Sequence, residues 1–219
     1  MYRIGRLRPL QSRVESGAMT TSSLQQTQPR PLTLADLLPA WRSTPLVRDA
    51  VLVVAAAALT AAAAQVAFVV PWTPVPYTLQ TGAVLLSGTV LGARRGLLAM
   101  LLYLAAGAIG LGVFAGGEAG IAQILGRTGG YLVAFAVAGF LVGRLAELHW
   151  DRSVMRSALL MVLGTVVIYA IGVPVLALVG PLPVSDAVWY GAAVFVPWDL
   201  AKIVLAAVCL PLAWRAAGR

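Results

Sequence analysis

The chain has 219 residues, of which 60% are apolar and 11% charged, and its formal net charge is +8. Soluble domains carry about 45–50% apolar and about 25% charged residues, so this chain has too little polar surface to cover a soluble core. The apolar runs are continuous rather than alternating, which favours membrane helices over a transmembrane barrel. We therefore expect an all-α membrane protein with about six transmembrane helices.

Single copies of three reactive residue types restrict the chemistry. Cys209 is the only cysteine and His149 the only histidine, so we expect neither a disulfide nor a metal site. Lys202 is the only lysine and does not belong to a Gly-Lys-Ser/Thr loop, so we do not expect this chain to bind ATP. The arginines flank apolar runs, which indicates membrane topology rather than nucleic-acid binding.

The first 44 residues differ from the rest of the chain. Arginines are scattered there among Ser, Thr, Gln and Pro, a composition that predicts a disordered tail. Thr33, with Asp36 three residues later and leucines at helical spacing up to Trp41, predicts a short capped helix on the inner membrane surface. A plain linker is the alternative. Residues 45–219 are expected to form one membrane domain.

Six apolar segments follow in residues 45–219. The first ends before the segment 71–76, where three prolines in six residues cannot continue a helix. The last contains Pro197 and Trp198, which predict a kink. The predicted spans are 48–70, 77–91, 96–111, 131–148, 157–179 and 187–214.

The distribution of arginines predicts the orientation. With six spans and both termini inside, only Arg127 lies on the outer side, whereas cytoplasmic segments hold the excess of positive charge. The cytoplasmic arginines would be Arg42, Arg48, Arg94, Arg95, Arg144, Arg152, Arg156, Arg215 and Arg219.

Small residues recur at helical spacing in several spans. Gly88 with Gly92, and Gly139 with Gly143, would let helices approach closely, in most cases within the chain. The alanine-rich first span is also a candidate docking surface for a partner helix, because residues three and four apart share one face. The residues of that face are Ala57, Thr60, Ala61 and Ala64.

Asp199 and Lys202 are charged residues inside the sixth apolar segment. An ionised group at mid-bilayer costs about 2.5–3.5 kcal/mol on insertion scales, so both must face protein, water or ligand. Their i, i+3 spacing puts them within pairing distance on one helix face. A structural ion pair is one interpretation. The other is a polar ligand site whose acceptor and donor pair with each other when it is empty.

Two outer segments provide further candidate site residues. The stretch 112–130 is rich in glycine, so its backbone could fold closely over a ligand, although a flexible connection would also be glycine-rich. Tyr77, Thr78, Gln80 and Thr81 open the second span directly after the proline turn and place hydroxyl and amide groups near the outer mouth.

Four segments, in order across about 175 residues, resemble one known family. They are Pro74-Val-Pro-Tyr-Thr-Leu-Gln-Thr81, Phe114-Ala-Gly-Gly117, Leu125-Gly-Arg-Thr-Gly-Gly-Tyr131 and Pro197-Trp-Asp-Leu-Ala-Lys202. They are similar to the BioY family, the biotin-specific substrate-binding (S) components of energy-coupling factor (ECF) transporters. The chain departs from the family at Arg127, where proline is frequent, and at Trp198, where glycine is common.

The resemblance implies a six-helix vitamin-capture subunit in the cell membrane. It would bind biotin as transported substrate without a cofactor, and it would work with a transmembrane coupling protein and two cytoplasmic ATPases. The residues expected to bind the substrate are Asp199, Lys202, Gln80, Tyr77, Thr78, Phe114, Gly116, Gly117, Arg127 and Tyr131. Arg127 is a candidate partner for the biotin carboxylate.

Other function classes fit the residues less well. An intramembrane aspartyl protease needs two facing aspartates, and Asp199 is the only candidate well inside a span. We therefore expect no enzymatic activity. A membrane scaffold or assembly protein, or an S component for another small vitamin, remains the alternative.

Overall fold

Helices make up nearly all regular structure in the computed structural model, which describes residues 32–38 and 44–218. The α-helices of these residues are α1 (Pro45–Gln65), α2 (Gln80–Leu91), α3 (Ala93–Ala108), α4 (Ile121–Ile124), α5 (Gly129–Glu147), α6 (Val154–Val179), α7 (Val184–Gly191) and α8 (Val196–Ala216). The tail before residue 32, residues 39–43 with Trp41 and Arg42, and Arg219 lie outside the described residues.

Four described segments are long and apolar enough to cross a membrane: α1, α5, α6 and the stretch Val184–Ala216 that combines α7 and α8. The shorter α2 and α3 meet at Gly92 and supply the other two of the six predicted segments. The prediction of an all-α membrane bundle is therefore confirmed.

A two-stranded sheet lies between the first two spans and was not predicted. β1 (Ala67–Phe68) pairs antiparallel with β2 (Tyr77–Thr78), with Ala67 opposite Thr78. The first helix consequently ends at Gln65 rather than near residue 70, and the second begins at Gln80 rather than at residue 77. Strands of two residues have no detectable periodicity, so only the folded chain reveals this pairing.

The α5 helix lies at the centre of the bundle, where α2, α3 and α6 pack around it. Glycines make the closest approaches. A Cβ added to Gly88 of α2 would lie 2.5 Å from Gly139 O of α5, and one added to Gly143 would lie 2.4 Å from the carbonyl carbon of Gly92. The predicted close packing through these glycines is confirmed, and it occurs within the chain.

The last span is interrupted before its charged residues. α7 ends at Gly191, a 3₁₀ turn spans Ala193–Phe195, and α8 begins at Val196 with Pro197 in its first turn. Proline is tolerated in the first turn because its missing N–H would have no partner there. The break confirms the predicted kink and places Asp199 in the first turn of α8.

At the end of the bundle predicted to be cytoplasmic, the short segment 32–38 packs against the helices. Leu34–Leu37 form one 3₁₀ turn, and Thr33 N donates to Asp36 Oδ2 at 3.1 Å, as the capping pattern predicted. Arg95 of α3 pairs with Asp36 at 3.0 Å and with Asp49 of α1 at 2.9 Å. Burial disfavours the ionised form of Asp36, yet hydrogen bonds from Arg95 and Thr33 hold the pKa of this carboxyl below its usual value.

The same end is held together by the connection between α5 and α6. Asp151 is fully buried, and Trp214 Nε1 of α8 donates to its Oδ2 at 2.6 Å. Burial raises the pKa of Asp151 despite this hydrogen bond. Arg152 lies over the Trp214 ring. Among the described residues, the arginines predicted to be cytoplasmic therefore gather at one end, where the starts of α1, α3 and α6 meet the ends of α5 and α8.

The expected docking face of α1 requires a correction. Ala57, Thr60 and Ala64 are buried within the chain, and Ala61 is half-buried. Thr60 Oγ1 lies 4.0 Å from Met100 Sδ, because this small-residue face packs on α3. The small side chains therefore serve packing inside the subunit and do not present a free surface.

We expect Gly88→Ala to destabilise the bundle, because the added methyl group would overlap the α5 backbone. Overpacking of this kind costs about 1–3 kcal/mol. Gly82→Ala is the matched control in the same helix, since its Cβ would make only ordinary contacts with the Lys202 side chain, the nearest to Cδ at 3.5 Å. Thermal unfolding of the purified proteins should show a lower melting temperature for Gly88→Ala alone. Equal melting temperatures would contradict this account of the contact.

Candidate functional site

A cavity of about 340 Å³ lies at the end of the molecule opposite the arginine cluster. Its walls come from the β1–β2 region, the start of α2, the glycine-rich loop after α3, α5, α6 and the start of α8. Ligand pockets of small molecules fall in a range of about 300–1,000 Å³, so the cavity has the size of a small-ligand site.

The short α2 helix explains why a cavity forms here. Its 12 residues span about 18 Å, well below the hydrocarbon thickness of about 30 Å. The chain before Gln80 must therefore enter the membrane region in a non-helical form. Such backbone is tolerated at membrane depth only where it is buried in protein or lines a cavity. In the segment before Gln80, Pro74, Val75, Pro76 and Thr78 do line the cavity.

Asp199 and Lys202 form the predicted ion pair at the wall of this cavity. Lys202 Nζ lies 2.9 Å from Asp199 Oδ1, and the two side chains are 16% and 7% exposed. Lys202 also donates to Thr78 O at 3.0 Å and to Thr81 Oγ1 at 2.6 Å. An ammonium group has three protons, so these bonds use all the donors of Lys202.

The carboxylate of Asp199 is held from both sides. Thr81 Oγ1 lies 3.4 Å from Oδ1, and the Tyr169 hydroxyl of α6 donates to Oδ2. A carboxylate offers about four lone-pair sites, so one remains after Lys202, Thr81 and Tyr169 have bonded. Asp199 thus presents a fixed negative acceptor that can accept one further hydrogen bond.

Gln80 is the second fixed polar group of the cavity. Its Nε2 donates to the Tyr103 hydroxyl at 2.5 Å, and its Oε1 accepts from Thr78 Oγ1 at 3.1 Å. Tyr103 in turn donates to Val113 O at 3.1 Å. Gln80 is only 4% exposed, so these bonds hold an amide that has almost no contact with solvent.

The glycine-rich loop is anchored by Phe114. The Phe114 ring fills a notch at Gly107 of α3, where an added Cβ would lie 2.0 Å from its Cζ. The ring also makes an edge contact with Tyr103, at 5.5 Å between centroids. Gly116 and Gly117 follow with φ of 70° and 82°, values that favour glycine. The loop is therefore fixed at Phe114, and it continues through two glycines whose backbone conformation other residues rarely adopt.

Comparison with known proteins identifies the family. The model of the BioY family matches residues 27–219. The chain belongs to the BioY family.

Relatives and a solved structure agree with this assignment. The chain is 39% identical over 142 residues to a biotin transporter BioY of Rhizobium etli, which covers 62% of this chain and 75% of the relative. It is 40% identical over 139 residues to a biotin transporter BioY of Thermotoga maritima, which covers 64% and 80%. A crystal structure of the S-component for biotin from an ECF-type ABC transporter matches with a TM-score of 0.72 and 25% identity, over 79% of this chain and 95% of that one.

In this BioY-family chain, most of the predicted site residues line the cavity. Those that do are Asp199, Lys202, Gln80, Thr78, Phe114, Gly116 and Tyr131. Tyr77 lies behind the wall, where its hydroxyl donates to Val194 O and its ring contacts Phe195. Gly117 and Arg127 are not among the lining residues, and Arg127 is exposed.

The sequence did not identify several cavity residues, because their residue types and spacing do not by themselves indicate a binding site. Tyr169 lies in the middle of an apolar run, where a tyrosine suggests packing, and yet it bonds to Asp199. The sequence predicts Trp198 to be part of a kink and a departure from the family motif, and in the structure its Nε1 donates to Thr78 O at 3.2 Å. Phe195, Gln123 and Thr128 also line the cavity.

We expect Lys202→Met to destabilise the empty protein, because it leaves Asp199 ionised and buried without its cation. Removing one partner of a buried pair costs about 3–5 kcal/mol. In the combined Asp199→Asn/Lys202→Met protein neither charge of this pair remains, so its melting temperature should exceed that of Lys202→Met. Thermal unfolding without ligand measures both. A combined variant no more stable than Lys202→Met would contradict the buried-charge argument.

Proposed function

We propose that this chain captures biotin at the outer face of the cell membrane as the substrate-binding subunit of an ECF-type transporter. The observation that carries the proposal is the buried Asp199–Lys202 pair in the wall of a small-ligand cavity. Membership of the BioY family directs it to biotin. That family consists of transporter subunits rather than enzymes, in keeping with a binding role.

Biotin and the cavity are complementary in chemistry. The ureido ring of biotin offers two N–H donors and a polar carbonyl oxygen, and its fused rings are apolar. Asp199 supplies a negative acceptor, and Phe114, Phe195 and Trp198 supply apolar walls. We assign Asp199 as the acceptor of a ureido N–H, because its carboxylate keeps one lone-pair site after its three internal bonds.

Lys202 acts chiefly by holding Asp199. Its three protons are already used by Thr78 O, Thr81 Oγ1 and Asp199, so a bond to the ureido oxygen would require it to release one of them. Holding the carboxylate charged and oriented also avoids the cost of an unpaired ion in the membrane. No residue is assigned to the biotin carboxylate, since Arg127 is exposed and outside the cavity lining.

The glycine-rich loop 112–130 acts as the outer lid of the cavity. Its first part lines the cavity with Phe114, Ala115, Gly116 and Glu118. Its second part continues the cavity wall toward α5 with Gln123 and Thr128. Gln65 at the end of α1 donates to Phe114 O at 3.3 Å and connects the lid to a second helix.

Energy for uptake comes from partner subunits. Lys202, the only lysine, is bound to Asp199, and the chain has no Gly-Lys-Ser/Thr motif for holding phosphate. We therefore assign ATP use to two cytoplasmic ATPases and the connection to them to a transmembrane coupling protein. The small-residue face of α1 is not part of that connection, because it is buried against α3 within the chain.

Biotin should stabilise the purified chain, and Asp199→Asn should weaken binding. A ligand at 100 times its dissociation constant adds about 2.7 kcal/mol of stability. A hydrogen bond to a charged group is worth about 1.5–3 kcal/mol, so the substitution should reduce biotin affinity between tenfold and more than a hundredfold. Thermal unfolding with and without biotin and equilibrium binding measure these effects.

Asp186→Asn is the control, because Asp186 lies on α7 outside the cavity lining. It should bind biotin like the unsubstituted chain. Absence of any biotin effect would favour a scaffold, and stabilisation by a different vitamin alone would favour an S component of other specificity. Unchanged biotin affinity in Asp199→Asn would remove Asp199 from the site.

Biotin should slow backbone hydrogen exchange in residues 114–130, because a lid that closes on ligand loses its local opening motions. Exchange in the inner segment 32–38, which lies at the opposite end, serves as the internal reference. Hydrogen-exchange mass spectrometry of the complete chain makes the comparison. Equal exchange of the loop in both states would contradict the lid assignment.

A further inference from the structure

Tyr103 connects two parts of the cavity wall without lining the cavity. It is buried on α3, with 1% of its surface exposed. Its hydroxyl contacts Gln80 at the start of α2 and Val113 O at the beginning of the lid. No substrate can reach this hydroxyl directly, so any effect it has on recognition must pass through Gln80 or the lid.

The number of protons determines the direction of these bonds. A hydroxyl group has one proton, and a carbonyl oxygen has none. Because Val113 O can only accept, Tyr103 donates its single proton there and can only accept from Gln80. Gln80 must therefore turn its NH₂ group toward Tyr103 and its Oε1 away from it.

The other end of the amide is fixed in the same way. Gln80 N donates to Thr78 Oγ1 at 3.2 Å, and Thr78 Oγ1 donates its own proton to Gln80 Oε1. A flipped amide would place Oε1 against Tyr103, which could then donate to Gln80 only by leaving Val113 O without this donor. The flip would therefore cost the hydrogen bond between Tyr103 and Val113 O, which disfavours it.

We propose that Tyr103 is a positioning residue that sets the specificity of the site for an N–H donor. Thr78, which bonds to Gln80 Oε1, lines the cavity, whereas Tyr103, which bonds to Gln80 Nε2, does not. The end of the amide that faces the cavity is therefore Oε1. This oxygen keeps a lone pair for the substrate. The inference rests on the proposed function, under which the donor is a ureido N–H of biotin.

The test measures binding of biotin and of the two biotins methylated at one ureido nitrogen. Tyr103→Phe frees the Gln80 amide to rotate, so biotin affinity should fall roughly tenfold, the value of one neutral hydrogen bond. The methylated biotin that already lacks the N–H facing Gln80 should lose less. The preference for biotin over that analogue should therefore decrease, which a purely structural role of Tyr103 would not produce.

A double-mutant cycle with Gln80 separates positioning from packing. Gln80→Ala should weaken biotin binding, and adding Tyr103→Phe to it should cause no further loss. Tyr190→Phe, which removes a hydroxyl outside this network, is the matched control and should bind biotin normally. If Tyr103→Phe does not fold, Tyr103→Met takes its place, because it also removes the hydroxyl group, and it should show the same decreased preference for biotin over the methylated analogue.

Two results would overturn the proposal. One is an equal loss of affinity for biotin and both methylated biotins in Tyr103→Phe. The other is an additional loss when Tyr103→Phe is combined with Gln80→Ala. Failure of the unsubstituted chain to bind biotin would instead overturn the proposed function, so the two failures are distinguishable.

Discussion

A buried ion pair inside an apolar helix bundle is the constraint to which the rest of the site responds. Asp199 and Lys202 lie where an isolated charge would cost several kcal/mol, so each must be paired and fully hydrogen-bonded. The surrounding elements supply those bonds: Thr78 and Thr81 from the start of α2 and Tyr169 from α6. The break before α8 brings the pair to the cavity. The residues that stabilise the ion pair are thus also residues that line the cavity.

Close helix packing at the inner half makes room for this site at the outer half. Gly88, Gly139 and Gly143 allow α2, α3 and α5 to approach to backbone contact. The arginine and carboxylate pairs around Asp36 and the buried Asp151 close the same end. Because α2 is short, the outer half cannot be filled by regular helices, and a hairpin and a glycine-rich loop complete it.

The polar groups of the cavity are oriented before any ligand arrives. Lys202 has no unused proton, Asp199 has one lone-pair site left, and Gln80 is held between Thr78 and Tyr103. Such preorganisation lowers the ordering cost of binding. It also favours ligands with N–H donors, since both fixed groups present oxygen acceptors.

The sequence by itself determined the membrane class, the six segments and the pairing of Asp199 with Lys202, because long apolar runs and i, i+3 spacing are local properties. The kink at Pro197 and the glycine contacts of α2 and α5 followed from similarly local rules. Only the tertiary structure decided which face of α1 is buried, since an alanine-rich helix is apolar on every side. It also decided that Tyr169 bonds to Asp199, that Tyr103 bonds to Gln80 and that Arg127 is not among the cavity-lining residues, because these placements depend on contacts between residues far apart in the chain.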